Sequence, residues 1–402
     1  MAAPSFSPEM AVDFKYTYQK QIIMFMRFAL LASTALGLSA VGAHADNNIA
    51  LLSQTGNDNA ALIAQDGSYN TAGQHRNAAR PDSRILQLGN ANDINFSQSG
   101  SANSVGTGDL FRQSGNRNSA TLEQDGARNE FSYMVQTGNG IAAVANELVI
   151  LQDGSDNRVK ELRQTLSGGT ATNTTQITQE GERHLAGGRI RQLGSGNALT
   201  VRQTGSDNVI APANNVAGAY GLSGEVNSVT QSGQANSMTL MQDGANNYLR
   251  AAQQHGDSNI LALSVTGNGN GRTALSAAGL VLSGAESASL WQVGTGNNTA
   301  LSIDGHDNAF GIAQQGHGNI AVTLITGTDN AFALGQFGHD NVTDALIDGN
   351  MNKMSLFQDG DQNRIKGKQD GSHNTATVVQ NGTNNFTQFQ QVGAHNSVVV
   401  SQ

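Results

Sequence analysis

The sequence predicts an all-β chain wound as a β-solenoid, a parallel β-helix with coils of about 22 residues, each made of two strand-turn units of about 11. Three observations predict it. A phrase Gln-x-Gly-x-x-Asn recurs every eleven residues, and 19 copies match it in full. The residues between each Asn and the next Gln alternate apolar or small with polar, the period of a strand with one buried face. The composition carries little of an ordinary globular core: only 13% of the 402 residues are charged, while 48 are Gly and 4 are Pro.

The register is cleanest in the C-terminal third, where the repeat never slips. Its anchors are Gln292, Ile303, Gln314, Ile325, Gln336, Ile347, Gln358, Gln369, Gln380, Gln391 and Gln402. The same phrase occurs earlier at Gln54, Gln65, Gln87, Gln98, Gln113, Gln124, Gln152, Gln192, Gln203, Gln231, Gln242 and Gln254. Steps of two from each Asn give inward sets such as Asn374, Ala376, Val378 and Gln380. Further sets are Asn385, Thr387, Phe389, Gln391, then Asn396, Val398, Val400, Gln402, and earlier Asn308, Phe310, Ile312, Gln314. The intervening residues, Thr377 among them, are expected to face out. The turn falls on x-Gly-x-x, where Gly338, Gly360, Gly371, Gly382 and Gly393 supply a residue free to take positive φ.

Two units close one coil because two chemically different columns alternate. Ile303, Ile325 and Ile347 are 22 apart, and Gln292, Gln314, Gln336 and Gln358 interleave with them. A buried amide without partners is costly. A primary amide carries both donor and acceptor, so stacked copies about 4.8 Å apart can satisfy one another. Gln314 is expected to bond Gln336, and Gln336 to bond Gln358. The Asn column comprises Asn308, Asn319, Asn330, Asn341, Asn363, Asn374, Asn385 and Asn396. Aspartate cannot form such a column, since like charges would stack. The amides thus set register, and each inward Leu, Ile, Val or Phe supplies roughly 1.5–3 kcal/mol of burial.

The chain divides into residues 1–45 and the repeat region 46–402, irregular around 137–290 and regular over 292–402. Lys15, Lys20 and Arg27 precede an apolar stretch from Phe28 to Val41 that ends in Ala43-His44-Ala45. These are the parts of a secretory signal peptide, with cleavage expected after Ala45 and translation starting as late as Met24 or Met26. An uncleaved anchor is the alternative, but the stretch is short for a bilayer. The mature chain is therefore expected to be extracellular with no integral membrane span. Anchors slip around Val144 to Glu147, Gly168 to Thr170, Pro212 to Ala219 and Arg272 to Gly279, read as insertions at turns. Pro81 and Pro212 lie outside clean repeats, and Arg76 replaces an anchor. About fifteen coils are expected, a stack on the order of 70 Å.

Composition also bounds function. A net charge of −9 argues against a nucleic-acid partner, and the absence of Cys excludes disulfides and thiolate metal sites. His306, His317 and His339 share a turn offset; they read as solvent-facing residues, with a metal ladder the less favoured reading. Asp304, Asp348, Asp359 and Asp370 lie on an eleven-residue rather than a nine-residue period, so they read as solubilising charges, not a calcium roll. Trp291, the single Trp, reads equally as a surface aromatic or a binding anchor. No local cluster of acids and bases breaks the repeat, so no enzyme, catalytic residue, cofactor or metal is expected.

Soluble solenoids cap their ends. Here Asn48, Ala50, Leu52, Gln54 open the repeat and Asn396 to Gln402 close it with no cap phrase, which suggests head-to-tail addition into an open filament. The phrases at Gln54–Gln65, Gln113–Gln124 and Gln369–Gln380 read Gln-x-Gly-x-x-Asn-x-Ala-x-x-x-Gln and resemble the curlin repeat, the unit of bacterial curli fibres. The resemblance covers most of residues 48–402. It implies a secreted fibre subunit, exported through an outer-membrane pore, nucleated by a related minor subunit, and serving adhesion and biofilm as functional amyloid. The chain departs from that family in its larger number of coils, its Ile anchors and the lack of a separate leader before the first repeat. The alternatives are a monomeric or surface-tethered adhesin that grips a ligand with its flat faces or loops and, more remotely, a β-helix carbohydrate enzyme.

Overall fold

In the computed structural model the described residues are 47–73, 85–106, 110–138, 145–167, 169–212, 227–276 and 285–402. The expected signal peptide, Arg76 and Pro81 lie outside them. Residues 44–402 form one unit. It is a β-solenoid whose described residues contain strands but no helix. Every strand pairs in parallel with its copy one turn on, in register: Gln314 lies beside Gln336, Gln336 beside Gln358.

Each turn contributes one strand to each of two facing sheets. One sheet has 13 strands, from Ala60–Gln65 to Phe386–Ala394, and no insertion falls inside any of them; we call it the continuous sheet. The other counts 20 strands because several of its levels are cut in two, and we call it the broken sheet. Thirteen strands mean thirteen turns, fewer than the fifteen expected, because inserted residues consume chain without adding height. At about 4.8 Å per turn the stack rises about 60 Å.

The insertions correct one expectation. Those near Val144 and Gly168 do lie at a turn, between Glu130–Thr137 and Asn146–Ser155 and between Arg158–Leu166 and Asn173–Glu182. Those at Pro212 and Arg272 instead cut a strand of the broken sheet just past its Asn. Val209–Ile210 and Val229–Gln234 are two pieces of one level, stacked on the two pieces Leu185–Ala186 and Ile190–Ser195. Closing a longer loop costs little extra entropy, so a solenoid tolerates such excursions where the flanking pieces keep their stacking partners.

The inward positions are those read from the alternation. Asn374, Ala376, Val378 and Gln380 are all fully buried, as are Asn308, Phe310, Ile312 and Gln314. Facing apolar columns meet in a single core that runs the length of the stack. Phe96, Phe111 and Phe131 pack edge to face in it, with ring centroids 5.0 and 5.6 Å apart.

The outward positions hold a second correction. In Ala309–His317 and Ala331–His339 the alternate residues Ala309, Gly311, Ala313, Ala331, Ala333 and Gly335 are small and buried rather than polar and exposed. The insertion after Gly271 folds back over them. Leu275 packs on Ala309, Ala331 and Ala333, and Arg250 pairs with Glu286 at the strap's return. Gly311 is required by contact: a Cβ there would lie 2.3 Å from the Glu286 carbonyl oxygen and 2.9 Å from Leu275 Cδ1. Gly311→Val should therefore unseat the strap. We expect a loss on the order of 1–3 kcal/mol in chemical denaturation and faster proteolysis within residues 272–288, with the β-sheet circular dichroism of the solenoid retained.

Candidate functional site: the buried amide columns

The site is built from the turn upward. In the unit Gln336–Asn341, Gly338 has φ 109° and Asp340 φ 54°. Glycine answers to two constraints here. It takes the positive φ, and it leaves room for the next coil: a Cβ on Gly338 would sit 2.1 Å from the Gly360 carbonyl oxygen. The second left-handed residue, just before each Asn, is Gly296, Asp307, Gly318, Asp329, Asp340, Met351, Gln362, His373, Asn384 or His395 in the regular third. Its side chain varies freely, so the motif does not reveal it.

Asn closes the turn. The Asn341 amide nitrogen donates to the Gly360 carbonyl of the next coil at 2.7 Å and to Phe337 O at 3.2 Å. Asn319 Oδ1 of the previous coil accepts from the Asn341 main-chain N–H at 3.1 Å. Asn308, Asn330, Asn363 and Asn374 repeat this scheme. Asn352, absent from the expected column although its Ile-anchored phrase is that of Asn308 and Asn330, does so too. Asn385 and Asn396 accept their places in the last coil but are half-buried and exposed, since nothing among the described residues stacks on them.

The glutamines of the broken sheet form one uninterrupted column. It runs Gln54, Gln87, Gln113, Gln136, Gln164, Gln192, Gln231, Gln254, Gln292, Gln314, Gln336, Gln358, Gln380, Gln402, each Nε2 donating to the next Oε1 at 2.6–3.0 Å. The direction is constant for a reason. The second Nε2 proton is held by a main-chain carbonyl of the facing strand, as when Gln336 donates to Ile320 O at 3.0 Å. Turning the amide over would set oxygen against oxygen. Gln136 and Gln164 lack the full phrase and were missed by it; their place two residues after an inward apolar residue was the available signal. Thr299 and Thr343, from the facing sheet, add hydroxyl bridges to Gln314 and Gln358 at 2.8 and 2.9 Å.

The column of the continuous sheet is interrupted. Gln65, Gln98, Gln124, Gln152, Gln179, Gln203 and Gln242 are joined by the same bond, and so are Gln369 and Gln391. Between them stand Val265, Ile303, Ile325 and Ile347, all buried. The polarity of the column dictates where the break shows. Gln369 should accept from the residue below, which is Ile347, and its buried Oε1 has no partner among the described residues. The Ile anchors seen in the sequence are thus an apolar plug in one of two amide columns.

His184 occupies an Asn position and is 1% exposed. Its Nε2 takes the donor side of the amide, 3.1 Å from Glu180 O. Its Nδ1 is buried without a partner among the described residues, and it has no oxygen to offer the Asn208 main-chain N–H. Burial holds its pKa below the ordinary value, with the Glu180 and Gly205 carbonyls and Asp207 opposing.

Charge is arranged in columns as well. At the left-handed position Arg128, Asp156, Arg183 and Asp207 follow one another on consecutive coils. Arg128 binds Asp156 through two bonds of 2.8 and 2.6 Å, and Arg183 binds Asp207 through two of 2.7 Å. These guanidinium groups hold both carboxyls below the usual range. His317 and His339 lie on adjacent coils with centroids 6.4 Å apart, while His306 is on the opposite turn, where its Nδ1 accepts from Asn268 N–H at 3.2 Å. Among the described residues no three His, Asp or Glu converge as ligands. Trp291 is half-buried on the outer face of the broken sheet, beside Ala313.

No family model and no curated protein matches this chain.

Two outcomes are expected. Gln336→Leu removes the acceptor above Gln314 and the amide donor below Gln358, leaving the Gln358 oxygen only the Thr343 hydroxyl, and should cost on the order of 2–4 kcal/mol in urea denaturation. Ile347→Gln only moves the break one coil down, so it should not stabilise. For His184 the folded pKa is lowered, so between the two pKa values the unfolded chain binds more protons and stability rises with pH. Stability is therefore lost as pH falls below about 6.5 toward the folded value. His184→Asn should remove that part of the slope and raise stability at pH 7, measured as denaturation midpoints from pH 5 to 8.

Proposed function

We propose that this chain is a secreted structural subunit that adds coil on coil into curli-like amyloid fibres of an extracellular adhesive matrix. The observation that carries the reading is the unbroken, one-directional glutamine column. Its donors all point one way along the stack, so a further coil of the same phrase finds a matching acceptor at one face and a matching donor at the other. The partners implied are further copies of the chain, a nucleating relative and an outer-membrane export pore. Among the described residues no helix is long and apolar enough to cross a membrane.

The confinement of insertions to the broken sheet and its turns favours one second reading. A monomeric or surface-tethered adhesin would display binding loops in this way, on one side of a rigid rod.

Fibre assembly separates the two. Residues 46–402 diluted from denaturant should give filaments that seed fresh monomer, with reflections near 4.8 and 10 Å. Gln336→Lys and Asn341→Lys should slow the dye-binding time course far more than Thr377→Lys. Equal effects would remove the ladder from assembly, and a soluble β-rich monomer that never seeds would favour the adhesin.

A further inference from the structure

The broken sheet carries a concentration of positive charge on its outer face. The residue before each glutamine of its column faces out. On four successive coils that row reads Arg112, Val135, Arg163 and Arg191, in register. Arg158, Lys160 and Arg189 stand beside it on the same face; Arg158, Arg163 and Arg189 are 53%, 48% and 37% exposed. Among the described residues of the patch two carboxylates answer these cations. Glu130 lies 3.8 Å from Arg158, and Glu161 lies 2.7 Å from Arg163 and 3.9 Å from Arg189. Arg112 and Lys160 have no carboxylate partner among the described residues, and Arg112 Nε is buried without any partner among them.

In a chain of net charge −9 this patch is an exception. It also departs from the pattern at the left-handed position, where Arg128, Asp156, Arg183 and Asp207 alternate on successive coils. Arg163 and Arg191 are direct register neighbours of like charge, about 4.8 Å apart along the stack. Two guanidinium groups side by side present parallel forks of donors, the geometry that suits a carboxylate or sulfate.

We infer that this patch binds an acidic polysaccharide, an extended and flexible chain bearing carboxylates or sulfates. The patch measures about 14 Å along the stack and about 17 Å across it. That holds a few acidic sugars but falls far short of the roughly 800 Å² that a stable protein partner covers. A nucleic-acid duplex, stiff over about 500 Å, would lie against the acidic remainder of the chain as well. Between residues 104 and 210 no large apolar side chain among the described residues is exposed, so the patch offers nothing to a lipid interior. Both edges of strand Arg158–Leu166 are paired, so a peptide finds no main chain to extend. A row of hydroxyls, Ser114, Thr137 and Thr165, runs beside the arginine row and matches the hydroxyls of a sugar as the arginines match its acid groups. The patch is complete within one chain, so the inference goes beyond fibre formation and holds for a monomer.

The test is retention of the full chain, freshly refolded and before assembly, on immobilised polygalacturonate and on immobilised dextran sulfate at low salt. The wild type should be retained on at least one of them and released by salt; the matrix that holds it tighter identifies the acid group. Arg112→Gln/Lys160→Gln removes no ion pair seen among the described residues and should weaken binding about tenfold, with unchanged circular dichroism. Arg364→Gln/Lys366→Gln, the same loss of charge on the continuous sheet, should leave binding unchanged. If the first variant misfolds, Arg163→Lys/Arg191→Lys keeps the charge, loses the forks and should still weaken binding. Because binding is read before assembly, its failure would leave the fibre reading intact. Equal weakening by the Arg112/Lys160 and Arg364/Lys366 variants would overturn the inference. So would a wild type that neither matrix retains, or one held as tightly by poly-glutamate, duplex DNA or anionic vesicles as by either polysaccharide.

Discussion

An amide turned into a protein interior must find a donor and an acceptor at once, and the rest of this structure follows from how that demand is met. The columns meet it by translation. A glutamine whose oxygen accepts from below and whose nitrogen donates above is satisfied only by a copy of itself, one coil away, at the same height on the strand. This makes register obligatory. A slip of one residue would turn the inward set to solvent, and a slip of two would bring each amide against an apolar side chain.

The apolar columns contribute most of the burial but little of the specificity, because Leu, Ile, Val, Phe and Met substitute for one another along them. Glycine in the turn serves the same translation: its missing Cβ is what lets the next carbonyl lie directly overhead. The charge column of Arg128, Asp156, Arg183 and Asp207 solves on the surface the problem that amides solve inside, since a column of one charge would repel and an alternating one attracts. It stands among the coils where the Asn column is broken by His184 and insertions interrupt the repeat.

Much of this was legible in the sequence, and the reasons are physical. Period two gives the inward face, period eleven the turn, and the 22-residue alternation of Ile with Gln the two-column coil. Less was legible where a constraint is met by shape rather than by residue type. The left-handed position before Asn accepts Asp340, Gln362, His373 or Asn384, so no letter marks it. Gln136, Gln164 and Gln179 keep their places in the columns without the turn phrase that flagged the others. The strap over Ala309, Gly311 and Ala333 was written only as an absence of polar outward residues, which reads as a cover only once the second layer is seen.

The account stands or falls on the amide columns, and side-chain hydrogen exchange tests them most directly. Measured by NMR on ¹⁵N-glutamine-labelled chain, the Nε2 protons of the buried glutamines should exchange as slowly as the main-chain N–H groups of their own strands, with Gln402 exchanging fast. Exchange of the whole glutamine set at the rate of free amide would mean that the columns are not hydrogen-bonded, and the register argument would fail with them.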